Sequence, residues 1–106
     1  MPKYLLKLSF TPEGAKGILE EGGSPRRVVA ETLASSVGGR LETFYFAFGK
    51  DDVYALMDLP DDASAASVSL TIAASGAARV STTLLLTPEE IDAAVKEHPQ
   101  YRPPGG

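Results

Sequence analysis

The sequence predicts an α+β domain, an antiparallel sheet of four strands that carries its helices on one face. Three observations predict it. Four stretches, beginning at residues 3, 40, 52 and 79, are extended in character. A helical region falls between the first and second, and another between the third and fourth. The chain has 106 residues, 43% of them hydrophobic. That suits one compact domain burying roughly two thirds of its unfolded surface.

The first strand, "KYLLKLSF", sets Tyr4, Leu6, Leu8 and Phe10 on one face and Leu5, Lys7 and Ser9 on the other. Thr11-Pro12-Glu13 then starts a helix. Thr caps exposed amides, Pro is tolerated at the first helical position, and Glu suits the positive helix end. Gly14 and Gly17 weaken this piece, and Gly22-Gly23 ends it. Ser24-Pro25 opens a second helix. Its apolar stripe runs through Val29, Leu33 and Val37 with Ala30 and Ala34 beside it, and Arg26, Arg27 and Glu31 face water. Gly38-Gly39 stops that helix.

The strand "RLETFYFAFG" is apolar on both faces, with Phe44, Phe46 and Phe48 on one and Leu41, Tyr45 and Ala47 on the other. A half-exposed antiparallel strand alternates with polar residues instead, so both faces of this one are expected to be covered. Gly49 to Asp52 makes a turn into "DVYALMDL". Residues 61–75 can be read two ways. Val68, Leu70 and Ile72 alternate as in a strand, whereas Ala63, Ala66, Leu70 and Ala73 fit a helical face. The helix is preferred, because Pro60-Asp61-Asp62 opens it and Gly76 closes it. "RVSTTLLL" is the last strand, and Thr87-Pro88-Glu89-Glu90 is a capping-box start for a terminal helix.

The order strand, helix, strand, strand, helix, strand is the split βαβ pattern of the ferredoxin-like fold. Residues 1–98 are read as one domain, and 99–106 as a flexible tail. The uncovered sheet face then calls for a second copy, and a symmetric homodimer through that face is expected.

Composition removes several classes of function. The net charge is −4 and no basic block exceeds Arg26-Arg27, which argues against nucleic-acid binding. There is no cysteine, so disulfides, thiolate metal sites and cysteine nucleophiles are excluded. Lys3 and Lys7 interrupt the apolar start, which lacks the pattern of a signal peptide, and no run is long enough to span a bilayer. A cytoplasmic protein without membrane contact is expected.

The chain resembles the GYD-domain family. The likeness is carried by Thr11-Pro12-Glu13-Gly14, Ser24-Pro25-x-Arg27, Gly38-Gly39 before an aromatic strand, and Gly49-x-x-Asp52. Pro60-Asp61-Asp62, Gly76-x-x-Arg79 and a closing "TPEE" continue it. One position departs from the pattern, with Asp51 standing where the family's tyrosine precedes the aspartate. The resemblance implies a ferredoxin-like domain of the dimeric α/β-barrel type. Related barrels include cofactor-free oxygenases, isomerases, haem enzymes and effector-binding modules, and fold alone does not choose among them.

Few residues offer chemistry. Asp51 and Asp52 are adjacent on an extended chain, point to opposite sides and favour a turn, though Asp52 remains a candidate for orienting a ligand. Asp61 and Asp62 suit a helix start, and Asp58 a solvated strand end. His98, the single histidine, stands beside Pro99 at a helix end and is read as a surface residue rather than a metal ligand. Ser-His-Asp chemistry and a phosphate loop are not supported, although an anion could meet the helix start near Ser24 with Arg26 or Arg27 beside it. The final Gly105-Gly106 is read as tail rather than as a modifier's C-terminus. Tyr45, Tyr54 and Arg79 are the candidate ligand-binding groups, since phenols and a guanidinium can hold a carbonyl or carboxylate. The preferred alternative packs the tyrosines in the dimer interface and pairs Arg79 with a nearby acid.

Two functions follow. The first is a homodimeric small-molecule binding or assembly module, with no catalytic residue assigned and with neither metal nor organic cofactor. The second is a cofactor-free enzyme, oxygenase- or isomerase-like, acting on a small apolar phenolic or enolisable substrate. A cavity between sheet and helices, and its lining, discriminates between them.

Overall fold

In the computed structural model, which describes residues 1–106, the chain runs β1 (Lys3–Phe10), α1 (Pro12–Glu21), α2 (Ser24–Ser36), β2 (Arg40–Phe46), β3 (Val53–Asp58), α3 (Asp62–Ala74), β4 (Ala78–Leu85) and α4 (Pro88–Val95). The strands form one antiparallel sheet in the order β2-β3-β1-β4, which places β1 and β3 at its centre. This is the ferredoxin-like arrangement the element order predicts.

The start signals work as local chemistry requires. Thr11 accepts the Gly14 N–H at 3.2 Å and donates its own hydroxyl to the Gly76 carbonyl at 2.7 Å, so the α1 cap also ties down the loop before β4. Gly14 lies so close to that loop that a Cβ there would stand 2.0 Å from the Ala77 carbonyl oxygen. Asp61 caps α3 by accepting the Ser64 N–H, and Thr87 and Glu90 close the capping box of α4 in both directions. At the end of α2, Gly38 turns with φ +84°, while the Gly39 and Gly38 N–H groups return to the Ala34 and Ser35 carbonyls. That is the Schellman closure that favours glycine at this position.

Tyr4, Leu6, Val53, Ala55 and Met57 form the core floor, covered by Ala30 and Ala34 of α2 and by Ala65 and Val68 of α3. Residue 61–75 chemistry is helical, as expected, but the buried face runs through Ala65, Val68 and Ile72 rather than Ala66 and Leu70. Apolar residues surround α3 on all sides, so periodicity could not select its inner face. Strand β2 differs too. A bulge between Leu41 and Thr43 moves Leu41 to the helix side with Phe44 and Phe46. One extra residue reverses every side chain before it. The strand ends at Phe46, and Phe48 is fully exposed in the turn.

The last turn of the chain does not join this core. No residue of α4 is buried, and every residue from 86 to 106 is exposed. The radius of gyration is 16.9 Å, against about 13 Å for a compact chain of this size.

Candidate functional site

An apolar cavity lies between the helices and the sheet. Helix α2 rides over β2 and α3 over β4, which leaves a gap above the central strands. The resulting pocket is about 220 Å³. Leu6, Leu8, Val53, Ala55 and Met57 make its floor, Val29, Ala30 and Leu33 one wall, and Ile72 the other. Its only polar lining residues are Arg26, Thr71 and Ser75. Arg26 was expected to face water with Arg27, yet it is half-buried at the pocket. A charged residue in the first turn of a helix looks like any solvated one in sequence, so nothing short of the packing reveals it.

The turn that follows β2 holds one end of this pocket in place. Asp52 donates its N–H to the Leu8 carbonyl at 2.7 Å, accepts the Ala47 N–H at 2.9 Å, and takes the Phe10 N–H on its carboxylate at 2.8 Å. Three bonds from one residue therefore fasten the hairpin to the end of β1. Phe10, which lines the pocket, stands 6.3 Å from Phe46 between ring centroids, and Phe44 meets Phe46 edge-on at 5.4 Å. Asp51 points elsewhere and receives only a long bond, 3.4 Å, from the Ser9 hydroxyl.

Tyr45, Tyr54 and Arg79 lie on the opposite, open face of the sheet. Register places three rows across it: Arg40, Asp58, Lys3 and Leu85; then Thr43, Leu56, Leu5 and Thr83; then Tyr45, Tyr54, Lys7 and Ser81. The two tyrosines are direct cross-strand neighbours. Arg79 is opposite Ser9 on the far edge strand, two strand spacings or about 10 Å from the Tyr54 strand. The structure thus joins Tyr45 to Tyr54, leaves Arg79 at a distance, and puts the sheet between all three and the pocket.

The first row holds an ionic cluster. Asp58 is only 5% exposed. It meets Lys3 Nζ at 2.8 Å and Arg40 Nε at 2.9 Å, while Lys3 also reaches Glu42 at 2.6 Å. The expectation of a solvated strand end is corrected here, because β1 and β2 flank Asp58 and supply its cations. The Lys3 hydrogen bond is the chief cause holding the Asp58 carboxyl below its ordinary range, and the Asp58 bond likewise raises Lys3. On the other side of the sheet, the buried Tyr4 hydroxyl donates to Asp62 at 2.6 Å. That bond, with desolvation second, pushes the phenol up to about 12. Asp61 is lowered by its backbone bond from Ser64. His98 is exposed just past α4, with φ +48°.

A family model described as GYD domain matches residues 4–95. No curated protein and no solved structure matches the chain. No helix is long and apolar enough to cross a membrane.

Proposed function

The chain belongs to the GYD domain family, and from that premise we propose that it is a homodimeric, cytoplasmic module that binds a small apolar molecule between its sheet and helices. The single observation that carries this reading is the pocket above β1 and β3, concave, apolar, and furnished with three polar side chains. At about 220 Å³ it suits a ligand with on the order of ten non-hydrogen atoms, below drug size. Arg26, Thr71 and Ser75 include no carboxylate or imidazole to take a proton, which favours binding over general acid–base chemistry.

The homodimer is proposed on the sheet's other face. Leu5, Leu56, Tyr45 and Tyr54 form its apolar middle, flanked by ionic groups at one end and by Lys7 and Arg79 at the other. Tyr45, at 68% exposure, and Tyr54 then become contact residues between subunits. Helix α4 also calls for a partner: its Ile91 and Val95 expose apolar surface that its own chain leaves uncovered.

The test is thermal unfolding with millimolar 3-phenylpropanol, a neutral probe of pocket size. A ligand at free concentration L that binds only the folded state stabilises it by RT ln(1 + L/Kd), and so raises the midpoint as its concentration passes Kd. The wild-type chain should gain stability, and a pocket-filling Ala55→Met variant should gain none. Equal shifts in both proteins would place the probe outside the pocket and refute the reading.

A further inference from the structure

The pocket's donors and acceptors select among apolar ligands. Thr71 Oγ1 donates to the Ser67 carbonyl at 2.7 Å, so its hydrogen is already used. Ser75 Oγ donates to the Ile72 carbonyl at 2.7 Å and accepts the Ala77 N–H at 3.2 Å. Arg26 is therefore the side-chain donor left to meet a ligand, and it carries a full positive charge. It takes part in none of the chain's three ion pairs. No acidic residue lines the pocket either, so Arg26, a half-buried residue, stands at an apolar cavity without a protein counter-ion.

The lining is also polarised. Arg26 belongs to the first turn of α2 and is partly open to solvent, while Leu6, Val53, Ala55 and Met57 at the floor are buried. A ligand that satisfies both ends has an acceptor-bearing anionic head and a hydrocarbon body. A carboxylate matches the planar fork of a guanidinium with two parallel hydrogen bonds, and low local dielectric strengthens that pair.

We infer that the pocket binds a small apolar monocarboxylate, its carboxylate on Arg26 and its hydrocarbon body against Leu6, Val53 and Met57. This rests on the reading of the pocket as a small-molecule site and narrows the class of molecule it takes. It also moves the anion: the carboxylate sits inside the cavity with Arg26, not on the open start of α2 beside Arg27.

The experiment titrates 3-phenylpropanoate and its neutral isostere 3-phenylpropanamide into the full chain, and follows pocket methyl groups by NMR. The same titrations are run on Arg26→Gln and Arg27→Gln, each first checked for native secondary structure by circular dichroism. The acid should bind about tenfold or more tightly than the amide, as a charge-assisted bidentate pair requires. That preference should vanish in Arg26→Gln and persist in Arg27→Gln, while amide binding stays the same in all three proteins. Equal affinity for acid and amide in the wild type, with pocket methyls responding, would overturn the anion preference and leave the small-molecule site standing. Loss of the preference in Arg27→Gln instead would put the anion outside the cavity and also overturn it. No response of pocket methyls to either probe would overturn the small-molecule reading itself, and this inference with it.

Discussion

Asp51 and Asp52 are neighbours of the same chemical type with unequal work. Asp52 joins three backbone partners across β1 and the hairpin, whereas Asp51 receives one long bond. Asp52→Ala leaves the Phe10 N–H without its charged acceptor and should cost about 1–3 kcal/mol. Asp51→Ala should stay within about 0.5 kcal/mol of wild type. Urea denaturation of the two variants checks the contrast, and equal costs would contradict it. Asp58 gives a pH signature. Its folded carboxyl is held below the ordinary value by Lys3, whereas the unfolded one titrates near pH 3.9. The unfolded chain therefore binds the proton first on acidification. The stability Asp58 contributes is complete above about pH 4, and is lost as pH falls through the folded value. Asp58→Asn should flatten the acid limb of stability against pH below about pH 4, measured by urea midpoints. Parallel curves for the two proteins would contradict the ion cluster. None of this was legible at Asp58 itself, because its cations come from β1 and β2, far from it along the chain. The turn at Asp52 was legible, but its fastening to Phe10 depends on a strand some forty residues earlier.

Element boundaries follow local chemistry and were open to reading for that reason. A threonine or aspartate cap, a proline at the first turn and a glycine at the end act within a few residues of one another. Faces depend on what an element packs against. In α3 the alanines are spread around the helix, so Ala63, Ala66 and Leu70 looked as suitable as the residues that are buried, and Leu70 is 70% exposed. Val68→Ala removes a side chain that is 1% exposed and should cost about 1–3 kcal/mol. Leu70→Ala removes more carbon but should change stability by no more than about 0.5 kcal/mol. A reversed ranking in chemical denaturation would mean that α3 presents its other face. The bulge in β2 was hidden for a related reason. Thr43 at an open-face position and Leu41 at a helix-facing one are compatible with either register until β3 supplies partners. The bulge also changes the argument for a covered second face. Leu41 no longer contributes to it, and the apolar share of the open face comes from Leu5, Leu56, Tyr45 and Tyr54.

At the scale of the whole molecule, a sheet with two unlike faces divides the tasks. The helix side holds a pocket, and the open side holds the surface proposed for a second subunit. Helix α4 has only eight residues, a length at which an isolated helix is marginal in water despite its capping box. In the proposed dimer, packing on the partner would supply what its own chain does not. Sedimentation velocity at micromolar concentration should give a dimer for the full chain. Tyr54→Arg, which sets a charge in the middle of the proposed contact, should shift it to monomer with its secondary structure unchanged. A monomeric wild type would contradict the assembly. The family likeness, the element order and the sheet were all readable from residue types. The pocket was not, since it arises from the separation of α2 and α3 above the sheet, and the candidate groups Tyr45, Tyr54 and Arg79 lie behind that sheet. Where a ligand settles is therefore the central question. The most direct measurement maps methyl chemical shifts as 3-phenylpropanoate is titrated into the full chain. The account predicts saturable shifts at Leu6, Leu8, Val53 and Ile72, the methyls around the pocket. Saturable shifts confined to Leu5, Leu56 and the ring signals of Tyr45 and Tyr54, with the pocket methyls still, would contradict it.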